Sequence, residues 1–221
     1  MSKARISVNK LGEYLTATPA RRRRIVQDQK APKEFIVTRY SDARQEIVSF
    51  LADGMEDEQS LRDAALHLRQ APGTDFVRQD KAGSADAIDD FLETTDQLVL
   101  DGLVIEPVDS TVSAQIDIAG VTVSVRPDVL LKTKAGHVAG AIKFHFPKTY
   151  PLLDKGAEYV AATLREYLVK QHPSSEIDPK HCLVVDVPAR VVTHAAKASK
   201  KKMADIEAAC EEINARWQLS G

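Results

Sequence analysis

The sequence predicts an α/β fold in which a mixed, mainly antiparallel central sheet is flanked by helices, with an added helical region at its N-terminal side. Three observations point there. Hydrophobic residues make up 43% and charged residues 28% of the 221 positions, the balance of an ordinary folded chain. Apolar residues recur at helical spacing as far as about residue 97. From Leu98 onward the spacing turns to alternation and the composition fills with Val, Ile and Thr. The chain therefore divides into residues 1–97, a helical region packing on the rest, and residues 98–221, the α/β core with a C-terminal helix.

Taken in order, residues 5–29 predict a short helix with Ser7 as its N-cap, a Thr-Pro break, and a second helix carrying Arg21 to Arg24. Ser41 to Leu51 forms an amphipathic helix ending at Gly54, and Glu58 to Gln70 another, closed by Ala71-Pro72-Gly73. Ser84 is placed to cap a helix whose apolar set is Ile88, Phe91 and Leu92. Val112 to Ile118 and Val121 to Leu131 flank Ala119-Gly120, a two-residue connection suited to a tight hairpin. In the second arm Val121, Val123, Val125, Val129 and Leu131 point one way, and Thr122, Ser124, Arg126 and Asp128 the other. His137 to Phe146 returns as a third strand with Ile142, Phe144 and Phe146 on its core side and Ala139, Ala141, Lys143 and His145 opposite. Leu153 to Gln171 is a long helix. Leu183 to Val187 and Arg190 to His194 form a hairpin about Pro188-Ala189, and residues 199–217 close the chain as a helix.

The net charge of -2 hides a segregation. Residues 1–40 carry +7, residues 41–118 carry -13, and residues 119–221 carry +4. Such a field steers a polyanion to one face. The runs around Arg22, Arg23, Lys200 and Lys201 are candidates to neutralise backbone phosphates, against the alternative of solvated helix faces. The acidic third has its own alternatives, a protein-binding or DNA-mimicking surface against a merely soluble one. No apolar run approaches the roughly 20 residues of a membrane-spanning helix. The basic start lacks the apolar stretch of a secretory signal, so the expectations are no membrane contact and a cytoplasmic location. Cys182 and Cys210 have neither metal-ligand nor disulfide spacing and read as reduced packing residues. Gly-rich nucleotide loops, Walker loops, His-Glu-x-x-His and Gly-x-Ser-x-Gly are all missing.

Two short motifs carry chemistry: Arg126-Pro127-Asp128, and Gly140-Ala141-Ile142-Lys143-Phe144. With the order helix, three antiparallel strands, helix, strand, they resemble the PD-(D/E)XK nuclease superfamily, whose core is that of restriction endonucleases. Ser7-Val8-Asn9-Lys10-Leu11-Gly12-Glu13-Tyr14 and the final helix with Trp217 are similar to the RecB-like branch. The resemblance implies a metal-dependent DNA nuclease. Asp128 would hold Mg²⁺ (or Mn²⁺), and Lys143 would assist the attacking water from the same sheet face. The position of the second carboxylate is Ala141, which cannot bind metal. Some relatives in the superfamily supply a glutamate from the following helix instead, and here that would be Glu158, giving a metal set of Asp128 and Glu158. Arg126 and His145 are weaker candidates for nucleic-acid contact. The alternative is a nuclease fold that has lost catalysis and serves as a nucleic-acid or protein binding module; oligomeric state is left open.

Overall fold

A computed structural model describes residues 2–31, 39–109 and 111–219. The elements follow the order β1 (Arg5–Ser7), α1 (Val8–Thr16), α2 (Pro19–Lys30), α3 (Ser41–Ala52), α4 (Glu58–Gln70), α5 (Asp75–Leu92), β2 (Val104–Pro107), β3 (Gln115–Ile118) and β4 (Val121–Ser124). The chain continues through β5 (Val129–Lys132), β6 (Val138–His145), α6 (Leu153–Gln171), β7 (Cys182–Asp186), β8 (Val191–His194) and α7 (Lys200–Leu219). The expected helix-flanked, mainly antiparallel sheet architecture is present, as two sheets. Five strands run in the order β2-β5-β6-β7-β8, and three in the order β1-β4-β3. Among the described residues, only β6–β7 and β1–β4 pair in parallel, and the first of these is bridged by the crossover helix α6.

Local chemistry explains most boundaries. The Ser7 hydroxyl accepts from the Lys10 N–H and caps α1, and Thr18 followed by Pro19 opens α2. Ala119 and Gly120 both adopt positive φ, as the β3–β4 hairpin requires. Two details differ from the sequence-based expectation. Ser84 caps nothing: Thr74 accepts from the Val77 N–H, and α5 runs unbroken from Asp75 with Ser84 buried in its middle. The strand expected over residues 121–131 is two strands in different sheets. Arg126 takes φ of 43° and is followed by Pro127, so the ladder of β4 stops, and a new one starts where the Asp128 N–H donates to the Ile142 carbonyl at 2.9 Å.

That break sends one alternating set into two cores. Val121, Val123 and Val125 join the core formed with α1, α2, α6 and α7, whereas Val129 and Leu131 join the one beneath α3, α4 and α5. β6 divides between both, with Ala141 facing the first core and Ile142 and Phe144 the second, which Phe146 joins just beyond the strand. Helices α1 and α6 cross closely at Gly12, where a Cβ would stand 2.6 Å from Val160 Cγ2 and 2.7 Å from the Gly156 carbonyl oxygen. On α1, Asn9 donates to the Phe144 carbonyl near the end of β6 at 2.9 Å.

Candidate functional site

The turn at Arg126-Pro127 brings Asp128 level with β6, and strand alternation puts Lys143 on the same side. Lys143 Nζ lies 2.9 Å from Asp128 Oδ2 and donates to the Arg126 carbonyl at 2.7 Å. The Phe144 N–H donates to the same Oδ2 at 2.8 Å. The other carboxylate oxygen faces Arg44 of α3, whose Nε stands 2.9 Å from Oδ1 as an ion pair that is not aligned as a hydrogen bond. Burial pushes the Lys143 ammonium below its ordinary pKa, against the pull of Asp128. Asp128 and Lys143 are 7% and 8% exposed, so the face expected to be polar and open is sealed.

Ala141 lies fully buried against the helical core. Glu158 does not complete the pair: its carboxylate meets Lys202 of α7 at 3.1 Å and remains half exposed. Among the described residues, no group of three His, Cys, Asp or Glu side chains is placed to hold a metal ion. The donor set therefore does not fit a two-carboxylate Mg²⁺ or Mn²⁺ centre, since Asp128 already satisfies two cations and a backbone N–H.

His145 is likewise buried rather than presented on a strand surface. It shares a hydrogen bond of 2.8 Å with the Tyr150 carbonyl and stands in register with Asp186 of β7. Asp186 accepts from the Leu152 N–H at 2.7 Å. Burial lowers the pKa of His145 and raises that of Asp186. Together they hold the segment between β6 and α6. Arg21 stacks 3.7 Å from the Tyr150 ring centroid on the outer side of that segment, while its guanidinium pairs with the buried Glu13 at 2.6 Å.

The basic runs separate into different roles. Arg22 is structural: it donates to the Tyr14 and Leu15 carbonyls at the end of α1 and pairs with Glu212. Arg23, Lys200 and Lys201 are exposed on α2 and α7. The acids of α5 are largely neutralised, with Arg69 on Asp86 and Asp89, and Arg190 on Asp90. Cys182 and Cys210 are free and buried, their thiols pushed up to about 12 by burial.

Two grooves adjoin the sealed pair. One, of about 810 Å³, is lined by Lys10, Arg24, Arg39, Arg44 and Lys148, with Asp28 as its only carboxylate among the described residues. The second, of about 790 Å³, is lined by Lys3, Arg5, Lys30 and Arg126 with no carboxylate. Both include Ser7 and Gln29, whose side-chain oxygen accepts from the Ser7 N–H, so the two form one furrow across the mouth of the α1–α2 pair. Several of these cations have partners, but Arg5, Arg39 and Arg126 have none among the described residues. Of the residues expected from sequence, Arg126, His145 and Arg24 of the arginine run line the furrow. Arg5, Arg39 and Arg44 lie outside the two basic runs, Arg44 between Asp42 and Glu46, and it is tertiary packing that brings them to the furrow.

No family model matches the chain, and neither a curated protein nor a solved structure matches it.

Proposed function

We propose that this protein binds nucleic acid along the basic furrow, and that its PD-(D/E)XK-like pair is a structural ion pair rather than a cleavage centre. The observation that carries the proposal is the furrow itself, which gathers, among the described residues, nine cations and one lining carboxylate on a chain of net charge -2. A polyanion gains from such a surface by releasing its condensed counterions. Arg5, Arg39 and Arg126 have no partner to give up among the described residues in reaching a phosphate. Asp128 supports the second half of the proposal, because a metal ion would have to displace Arg44, Lys143 or both.

The metal-dependent nuclease remains the second reading, favoured by one observation, the 2.9 Å pairing of Asp128 with Lys143 in the strand phase such a site needs. One experiment separates them. Labelled DNA is titrated by fluorescence anisotropy over a range of salt, and plasmid is incubated in parallel with Mg²⁺ or Mn²⁺. Binding that weakens linearly in log[salt], with a slope reduced by about one in each of Arg5→Ala, Arg39→Ala and Arg126→Ala, is the expected outcome. Absence of salt-sensitive binding refutes the furrow. Metal-dependent cleavage that disappears in both Asp128→Ala and Lys143→Ala would establish the nuclease instead.

A further inference from the structure

A smaller hollow of about 180 Å³ adjoins the furrow, bounded by Arg39, Tyr40, Phe76, Gln79, Asp80 and Gly83. Arg39, Tyr40 and Phe76 belong to both, so a ligand in the furrow has direct access to it. Its residues are unusual for a surface hollow. Phe76 leaves 51% of its surface exposed on α5, and Tyr40 holds a φ of 64°, a left-handed conformation that a bulky side chain rarely adopts and that concentrates at ligand sites. Tyr40 is stacked on Phe146 with centroids 5.5 Å apart, which fixes the plane of its ring. Arg39, Gln79 and Asp80 have no polar partner among the described residues.

Gly83 is an independent pointer to a ligand. It sits inside α5, where glycine weakens a helix, yet a Cβ there would meet only Tyr40 Cε1 at 3.8 Å, an ordinary contact. Among the described residues, nothing in the chain's own packing requires the missing side chain. What the glycine keeps open is the floor of the hollow.

We propose that this hollow seats an unpaired nucleobase bearing the 4-amino group of cytosine or the 6-amino group of adenine, so that the ligand of the furrow is a single strand containing one of these bases. The proposal rests on the furrow binding nucleic acid and adds what it selects. A base ring stacks on Phe76, Arg39 reaches the adjoining phosphate, and the amine donates its hydrogens to the Asp80 carboxylate and the Gln79 amide oxygen. Thymine and uracil place a carbonyl oxygen where that amine would be, and the Asp80 carboxylate repels it. Duplex DNA keeps its ring faces inside the stack and cannot offer one to Phe76.

Labelled dC, dA and dT oligomers of equal length and a duplex are compared by anisotropy with wild type, Phe76→Ala and Gly83→Leu, and CMP is titrated into ¹⁵N-labelled protein. Both substitutions are at exposed or half-exposed positions, and leucine favours the helix. The dC and dA oligomers should bind about tenfold more tightly than dT. Each substitution should cost about tenfold for dC while leaving duplex affinity unchanged. CMP should shift the amide resonances of residues 79–83, and inorganic phosphate should not. Equal affinity for dC and dT, wild-type dC binding by Gly83→Leu, or unmoved resonances with CMP would each overturn the proposal. If CMP shifts these resonances while no oligomer binds in a salt-sensitive way, the furrow fails and the hollow stands as a site for single nucleotides.

Discussion

The two faces of the five-stranded sheet are held by different physics, although β6 contributes to both. Beneath α3, α4 and α5 the sheet presents Val129, Leu131, Ile142, Phe144, Phe146, Leu183 and Val185, all apolar. Phe50, Phe91, Phe144, Phe146 and Tyr40 form a run of ring contacts there, edge-on between Phe91 and Phe144 at 5.9 Å. Beneath α1 and α6 the same sheet carries Ala141, Cys182 and Val184 but also Asp128, Lys143, His145 and Asp186, each nearly inaccessible. One face gains stability in proportion to the area it buries. The other depends on pairings that turn into penalties when one partner is removed. A strand can therefore be fully buried and still hold a set of charges, provided each charge is answered.

The sharpest way to break this contrast is through the rings. Phe144→Ala should lower stability by about 4 kcal/mol in equilibrium urea unfolding, because it empties the centre of the aromatic run. Next in size, Asp128→Ala should cost about 3 kcal/mol, since it leaves Lys143 buried without its counter-charge. Lys143→Met should cost less than half of that, because Asp128 keeps Arg44 and the Phe144 N–H. Equal losses for the two would mean that packing, not pairing, governs this face. The smallest effect is one of pH. Tyr14 of α1 is fully buried, and burial, with Glu212 beside it, pushes its phenol from 10.0 up to about 12. A raised folded pKa gives stability that is complete below pH 10 and lost as pH climbs toward 12. Unfolding curves should show about 1 kcal/mol lost between pH 9 and 11 through this group, and Tyr14→Phe should remove that share.

The aromatic face was legible in the sequence because period-two alternation through Ile142, Phe144 and Phe146 depends only on neighbours along the strand. The phase that unites Asp128 with Lys143 was legible for the same reason. The split between β4 and β5 was not, since the turn at Arg126-Pro127 leaves the alternation of valines intact on both sides. The three residues of β1 are too few to show a period. Arg44, which closes the Asp128 carboxylate, comes from a helix whose own pattern says nothing about that carboxylate. Glu158 shows the converse failure. Its distance along the chain allowed a place beside Asp128, but the turn of α6 delivers it to Lys202, and helical spacing alone does not reveal which neighbour a side chain will find.

The parallel pairing of β1 with β4 also sets an order of assembly. Arg5 stands beside Thr122, and Lys3 meets Asp117 from 114 positions away, so β1 has no partner until β3 and β4 have been made. Closing so long a loop is slow, and contacts of this range form late in folding. The helices α3 to α5 can associate while the amino-terminal segment waits. Arg5, Ser7 and Lys10 would then take their places only once β4 is available, so the surface they line is among the last parts of the molecule to be completed.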